Sequence, residues 1–253
     1  MSEDVLMTRW RVHHKAETAS TNADAKSGRA WDVFTADFQT AGRGRLDHRW
    51  LSAPGKNLVM SAVLPVEGLQ PDHVATLPLA VGLAVAEGLG RICRAGGVAV
   101  DVALKWPNDV LVGGRKICGV LCERCGDFVI AGVGVNVGET DFPEVIAWRA
   151  TSLAALGVEA NVQDVLPVVL ESLEAVFDEW KGGGFAAIWP RIAKADALKG
   201  RWLEVVQTDS DEAPTSGVCG GIQPDGSLLV GDTAIWSGEA KVISGSQPCC
   251  QIQ

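Results

Sequence analysis

The chain contains no tyrosine, and only three methionines and four histidines among 253 residues. A phenolic hydroxyl is therefore excluded as acid, base or nucleophile. Two of the four histidines, His13 and His14, are adjacent in an apparent strand. Neighbouring strand residues point to opposite faces, so an edge or surface role is expected of them rather than a shared ligand pair. Positive charge is also short: the formal net charge is −9 and the isoelectric point about 4.9. Such a field repels polyanions and excludes wholesale electrostatic attraction to nucleic acid or an anionic membrane. No secretory signal is visible in "MSEDVLMTRW", and aliphatic runs are broken by charge before they reach membrane-span length. Tandem repeats and low-complexity segments are missing too. The expectation is a cytoplasmic protein that binds neither nucleic acid nor membrane.

The composition is otherwise ordinary, with 47% hydrophobic and 21% charged residues, enough for a sizeable core. This length suits one large domain, or one domain with a small appendage. The seven cysteines are Cys93, Cys118, Cys122, Cys125, Cys219, Cys249 and Cys250, an odd set without a framework, which reads as reduced thiols. Cys122 and Cys125 form a C-x-x-C, but no second pair or histidine stands at zinc spacing.

Along the chain, "TRWRVHHKAETAS" reads as a strand and "STNADAK" as a capped short helix. "WDVFTADFQ" and "NLVMSAVL" are further strands. One long alanine-rich helix is expected from about Asp72 to Arg94. Strands follow through "VDVALKWPND" and "VLVGGRKICGVLCERCGDFVIAGVGVNVG". "NVQDVLPVVLESLEAVFDEWKGGG" carries an apolar stripe at helical spacing, with Asn161 as N-cap and the glycine triplet as its stop. A second helix around "FAAIWPRIAKAD" is expected to kink at Pro190. Beyond Ala197 short alternating strands around a "PDG" turn suggest a small β-barrel. The expected division is 1–197 and 198–253.

Three segments carry chemistry. "QTAGRGRLDHRW" (Gln39 to Trp50) cannot build a core. Its glycines let the backbone approach a ligand while Arg43 and Arg45 project towards it, which suits a phosphate, although a solvated hairpin tip would read the same way. "KWPND" places Lys105, Asn108 and Asp109 at a turn, with Lys116 eleven residues after Lys105. These side chains suit triphosphate oxygens and Mg²⁺, or else an Asx turn with surface lysines. "GVGVNV" alternates glycines along one strand face, so something approaches closely, either a ligand or a packed element.

Together with "STN" (Ser20 to Asn22), "GRKICGVL" (Gly114 to Leu121) and "ATSL" (Ala150 to Leu153), these segments resemble the biotin protein ligase family over nearly the whole chain. The resemblance implies an α+β fold: a mixed β-sheet catalytic domain flanked by helices, with a small C-terminal SH3-like β-barrel. It implies a ligase that joins biotin and ATP into biotinyl-5′-AMP, then transfers biotin to a lysine of the biotin carboxyl carrier protein of acetyl-CoA carboxylase. By position, Ser20, Thr21, Asn22 and Gln39 would hold biotin. Arg43, Gly44 and Arg45 would close over biotin and the adenylate. Lys116 and Arg45 would be the catalytic charges, Lys116 bridging carboxylate and α-phosphate. Lys105, Asn108, Asn136 and Trp50 would serve the nucleotide, and Asp109 would hold Mg²⁺. Relatives that repress transcription carry a DNA-binding module ahead of the catalytic domain, and the 19 residues before Ser20 are too few for one. Both monomers and homodimers are compatible with the resemblance. Cys118 and Cys122 lie on the same expected strand as Lys116, and a nucleophilic thiol would suit a related acyl transferase; a small buried apolar group is the expectation.

One departure stands out. Asp47 and His48 occupy positions where the resembled family carries glycine and arginine. Asp47 subtracts positive charge from the loop, and a histidine is mostly neutral near pH 7. Restoring both, as Asp47→Gly/His48→Arg, is expected to slow adenylate dissociation in a single-turnover chase. An unchanged rate would show that the departure has no bearing on retention.

Overall fold

The computed structural model describes residues 9–46, 48–208 and 213–243. Asp47, Cys249 and Cys250 lie outside the described residues. The chain opens with strand β1 (Arg11–Thr18), a short helix α1 (Thr21–Ala25), and strands β2 (Asp32–Gln39) and β3 (Leu58–Pro65). Helices α2 (Pro71–Ala75) and α3 (Leu77–Ala95) precede strands β4 (Val102–Lys105), β5 (Asp109–Val112), β6 (Arg115–Cys125) and β7 (Phe128–Val135). A short α4 (Glu144–Ala147) and a long α5 (Val162–Ala195) then lead into β8 (Trp202–Gln207), β9 (Thr215–Ile222), β10 (Leu228–Val230), β11 (Thr233–Ile235) and β12 (Gly238–Val242).

The first seven strands form one mixed sheet in the order β1-β2-β3-β7-β6-β5-β4. β1 runs parallel to β2, and the remaining neighbours are antiparallel. Alternation along the strands sends Leu58, Met60 and Ala62 of β3 and Cys118 and Val120 of β6 into the main core with α3 and α5. The intervening residues, Val59, Ser61 and Val63, face α1 and the basic loop. A helix layer therefore covers one face, while the other remains largely free for a site.

The long helix expected from Asp72 divides at Thr76. Pro78 has no N–H to give the carbonyl of Val74, so the helix restarts at Leu77. The Pro71–Ala95 stretch has the length and apolarity of a membrane span, but 78% of its most apolar window is buried inside the protein. It is a core helix. α5 starts with the Asn161–Asp164 capping box. Its stripe of Val165, Val169, Leu170, Leu173, Val176, Phe177 and Trp180 is buried, and Trp180 Nε1 donates to Thr76 Oγ1 at 2.8 Å.

The glycine triplet ends the first helix as expected: the break falls at Gly184 (φ 71°, ψ 178°), where two helical stretches of α5 meet. The expected kink at Pro190 needs correction, since Pro190 sits in helical backbone. That conformation is almost closed to residues with a Cβ, so the glycine bends the chain and the proline is accommodated.

The last five strands form an antiparallel sheet, β11-β10-β9-β8-β12, of the kind expected for an SH3-like unit. Its hydrogen-bonded pairing does not close into a barrel among the described residues: β11 and β12 remain edges. Two indoles, buried Trp106 and half-buried Trp189, tie it to the rest. Trp106 Nε1 donates to the Gly226 carbonyl at 3.2 Å, and Trp189 Nε1 to the Ile222 carbonyl at 2.9 Å. The Ile222 N–H in turn donates to Asp196 Oδ2 at 2.9 Å.

Gly184→Ala is expected to cost about 1–3 kcal/mol, because the added Cβ forbids the observed backbone. Urea unfolding reads this as a lower midpoint at unchanged m. Pro190→Ala serves as the comparison and should not lower the midpoint.

Candidate functional site

Strand register builds the floor of the site. Val59, Gly134 and Gly119 form one cross-strand row that continues to Asp109, and Ser61, Gly132 and Leu121 form the next. Three glycines in two adjacent rows leave the sheet bare. A methyl group at Gly132 would lie 2.2 Å from Asn22 Oδ1, and one at Gly134 would lie 2.4 Å from Trp50 Cε2. At Gly119 it would meet Lys116 Nζ at 3.0 Å and Trp50 Cζ3 at 3.2 Å. The alternating glycines thus admit Asn22 and the flat face of Trp50 onto the sheet. Above this floor lies a cavity of about 150 Å³.

A neutral polar network lines one part of the cavity. The Thr21 N–H donates to Gln39 Oε1 at 2.8 Å, with Thr21 Oγ1 3.1 Å from the same oxygen. Ser61, wholly buried, lies 2.8 Å from Thr21 Oγ1 and donates to Asn22 Oδ1 at 2.6 Å. Asn22 Nδ2 donates to Glu123 Oε2 at 2.6 Å. Arg43 then caps Glu123, with Nη2 at 3.0 and 2.8 Å from the two carboxylate oxygens.

The basic loop is a small hairpin. Arg43 bridges Arg49, the Trp50 N–H donates to the Gly42 carbonyl at 3.0 Å, and the His48 N–H donates to the Arg45 carbonyl at 3.0 Å. Gly42 is required because a Cβ there would meet the Trp50 carbonyl at 2.8 Å. Arg45 reaches across to the C-terminal sheet, where Nη1 donates to the Gly238 carbonyl at 3.3 Å. Desolvation works against the Arg45 charge and holds its pKa below the usual value, while the Asp109 and Glu239 carboxylates favour the cation.

Lys116 is anchored through its backbone. Its N–H donates to the Arg149 carbonyl at 2.7 Å, and its carbonyl accepts from the Thr151 N–H at 2.9 Å. The "ATSL" segment therefore fixes the strand end from which the ammonium projects. Lys116 Nζ lies 2.7 Å from Asp109 Oδ1 and 5.8 Å from the Trp50 ring centre. Asn108 Nδ2 donates to the Val120 carbonyl at 2.7 Å, which pins the "KWPND" turn to β6.

Ser20, Thr21, Asn22, Gln39, Arg43, Gly44, Arg45, Trp50, Lys105, Asn108, Asp109 and Lys116 all line the cavity. Asn136 does not. It is buried, and its Nδ2 donates to the Thr151 carbonyl at 3.0 Å and its N–H to the Ile117 carbonyl at 2.9 Å. It holds the "ATSL" segment in place.

Sequence reasoning missed Ser61, Glu123 and the Gly238–Glu239–Ala240 edge of the second sheet. Ser61 had a signal, a hydroxyl inside an otherwise apolar strand. Glu123 and the distant edge had none, since 80 residues separate Arg43 from Glu123 and 193 separate Arg45 from Gly238. Cys118 is buried on the core face. Cys122 and Cys125, an odd number apart on β6, point to opposite faces, and no metal-ligating cluster occurs among the described residues. Burial pushes the Cys118 thiol far up and the Cys122 thiol to about 12. His13 stacks on Phe34 and approaches Asp32, while His14 turns to Thr35 and Asp37, so the two histidines serve different neighbours.

Fold and site together define an α+β protein with a ligand cavity on an open sheet face, roofed by a basic hairpin. Residues 18–138 match the Biotin/lipoate A/B protein ligase family. The chain is 32% identical over 234 residues to the biotin–[acetyl-CoA-carboxylase] ligase of Paracoccus denitrificans, covering 85% of this chain and 92% of that protein. It is 38% identical over 173 residues to the Mycobacterium tuberculosis protein of the same name, covering 66% of this chain and 64% of that protein. The biotin protein ligase of Aquifex aeolicus, solved with biotin and ATP, superposes with a TM-score of 0.80 at 29% identity, covering 92% of this chain and 98% of that one. The chain belongs to the biotin/lipoate protein ligase family.

Only the thiolate is nucleophilic, so a thiol whose pKa is raised stays protonated and inert. Iodoacetamide at pH 8 is expected to leave Cys118 and Cys122 unmodified in the native protein and to alkylate the exposed Cys125. Peptide mass mapping reads the outcome, and rapid alkylation of Cys118 would reverse its assignment as a small buried apolar group.

Proposed function

We propose that this protein is an ATP-dependent biotin–[biotin carboxyl carrier protein] ligase, acting on the carrier domain of acetyl-CoA carboxylase. One observation carries the reading: a single cavity joins the neutral network of Thr21, Asn22 and Gln39 to the cations Arg45, Lys105 and Lys116. Biotin presents the same two chemistries, an uncharged ureido ring and a carboxylate that must meet a phosphate.

In the first step a biotin carboxylate oxygen forms a bond to the α-phosphorus as the bond to the β-phosphate oxygen breaks, giving biotinyl-5′-AMP and pyrophosphate. Two anions must approach, so the enzyme's task is positioning and charge neutralisation. Lys116, with its backbone held by the "ATSL" segment, supplies a fixed positive charge between carboxylate and α-phosphate. Arg45 adds a second charge from the hairpin, and Lys105 a third beside the "KWPND" turn. In the second step a carrier lysine amine attacks the acyl carbon, AMP leaves with the bonding pair, and the amine loses a proton. Covering the mixed anhydride with the hairpin keeps water from it.

Mg²⁺ fits as an ion carried by the nucleotide, since it keeps most of its waters and needs one or two carboxylates plus phosphates. Asp109 would hold it, exchanging its contact with Lys116, and the ion would neutralise the departing pyrophosphate. Asn136 acts on the nucleotide side through the segment it anchors, and Trp50 offers a ring beside it. The catalytic unit spans 1–197 and the SH3-like unit 198–253, with Arg45 and Gly238 joining them. A cytoplasmic monomer or homodimer that does not bind nucleic acid accords with the acidic net charge of −9.

Incubation with ATP, Mg²⁺ and either biotin or lipoate, followed by pyrophosphate release and carrier labelling, tests the reading. Biotin alone should turn over, and Lys116→Gln should lower biotin-dependent pyrophosphate exchange by about 10²–10³-fold. Turnover with lipoate alone would place the chain on the other branch of its family, and no turnover with either acid would make it a binding protein.

A further inference from the structure

Glu123 takes no part in the chemistry above, yet both of its oxygens are used. Oε2 accepts from Asn22 Nδ2 at 2.6 Å, and Arg43 Nη2 lies 2.8 and 3.0 Å from the two oxygens. Asn22 belongs to the cavity floor and Arg43 to the hairpin roof. No other side chain among the described residues bonds to both.

We propose that Glu123 is a positioning residue that latches the hairpin to the floor and sets the orientation of the Asn22 amide; this rests on the ligase reading above. An ionised carboxylate only accepts hydrogen bonds, so the Asn22 nitrogen must face it. Asn22 Oδ1 is thereby turned to the buried Ser61 hydroxyl, and the Thr21–Gln39 pair beyond it is set in register. A neutral amide at this position would accept or donate equally well, and the order would be lost.

The latch also divides the labour among the arginines. Arg43 is neutralised by Glu123, and Arg49 Nη2 donates to the Thr40 carbonyl at 3.2 Å. The hairpin therefore delivers Arg45 as its one guanidinium for the phosphate, and Arg43 contributes by holding the roof closed. The Arg43 side chain is 47% exposed, so the ion pair by itself is weak. The partly buried Asn22–Glu123 bond is the stronger link, because hydrogen bonds to charged groups contribute more than neutral ones.

Glu123→Gln, Arg43→Gln and the double variant test this. In pyrophosphate exchange, Glu123→Gln is expected to raise the KM for biotin about 10- to 100-fold while kcat stays within about twofold. Trypsin should cleave the hairpin faster in the unliganded variant than in the wild type. The double variant should cleave no faster than the more sensitive single one, since both remove the same contact. Unchanged KM with unchanged cleavage overturns the proposal, as does a fall in kcat at constant KM. The proteolysis arm needs no turnover, so it reads the latch even if the wild type fails to use biotin. A melting temperature equal to the wild type's separates loss of the latch from loss of the fold.

Discussion

Everything in the cavity depends on the side chains missing from Gly119, Gly132 and Gly134. Two neighbouring antiparallel strands place these glycines in adjacent rows, and the gap is filled by Asn22 and Trp50. At Gly132 and Gly134 the contacts are too close for even a methyl group. Close packing transmits such a constraint outwards: with Asn22 seated, Ser61, Thr21 and Glu123 have defined partners, and with Trp50 seated, the hairpin before it has a fixed end. The glycines weaken the strands that carry them, and the helix layer of α3 and α5 on the far face supplies the compensating burial.

Charge is handled in a similarly local way. The protein as a whole is acidic, but arginine and lysine converge on one cavity, and three of the cations there have a near acceptor. Lys116 has Asp109, Arg43 has Glu123, and Arg45 has the Gly238 carbonyl with Glu239 beside it. These partners let clustered positive charge sit in a partly desolvated space without mutual repulsion dominating. An incoming anion must compete with those partners, which makes recognition selective for a ligand bringing more negative charge than a carboxylate side chain. The second sheet takes part here, since one of its edge carbonyls and one of its carboxylates face Arg45.

Much of this was legible beforehand because the signals are local. The alternation of "NLVMSAVL" and the stripe of α5 follow from strand and helix periodicity. The glycine alternation of "GVGVNV" announced a close approach, though whether a ligand or an element did the approaching was undecided; both Asn22 and Trp50 turn out to occupy the space. One misreading came from a local rule applied once too often. The glycine triplet stops the first helix as its sequence suggests, but Pro190, read as a second break, sits in helical backbone because Gly184 already supplies the bend. The bond from Asn136 to the Thr151 carbonyl, a partner fifteen residues on, had no local signal at all.

The sequence by itself determined the elements, the bare glycine face, the basic hairpin and the family to which the chain belongs. Periodicity, backbone freedom and motif spacing need no knowledge of distant residues. Only the tertiary structure decided that Glu123 joins Asn22 to Arg43, that Ser61 backs the polar network, and that Gly238 receives Arg45. Those pairings depend on strand register and on the docking of one sheet against another. Both are set by how the core closes, so no local stretch of the chain contains them.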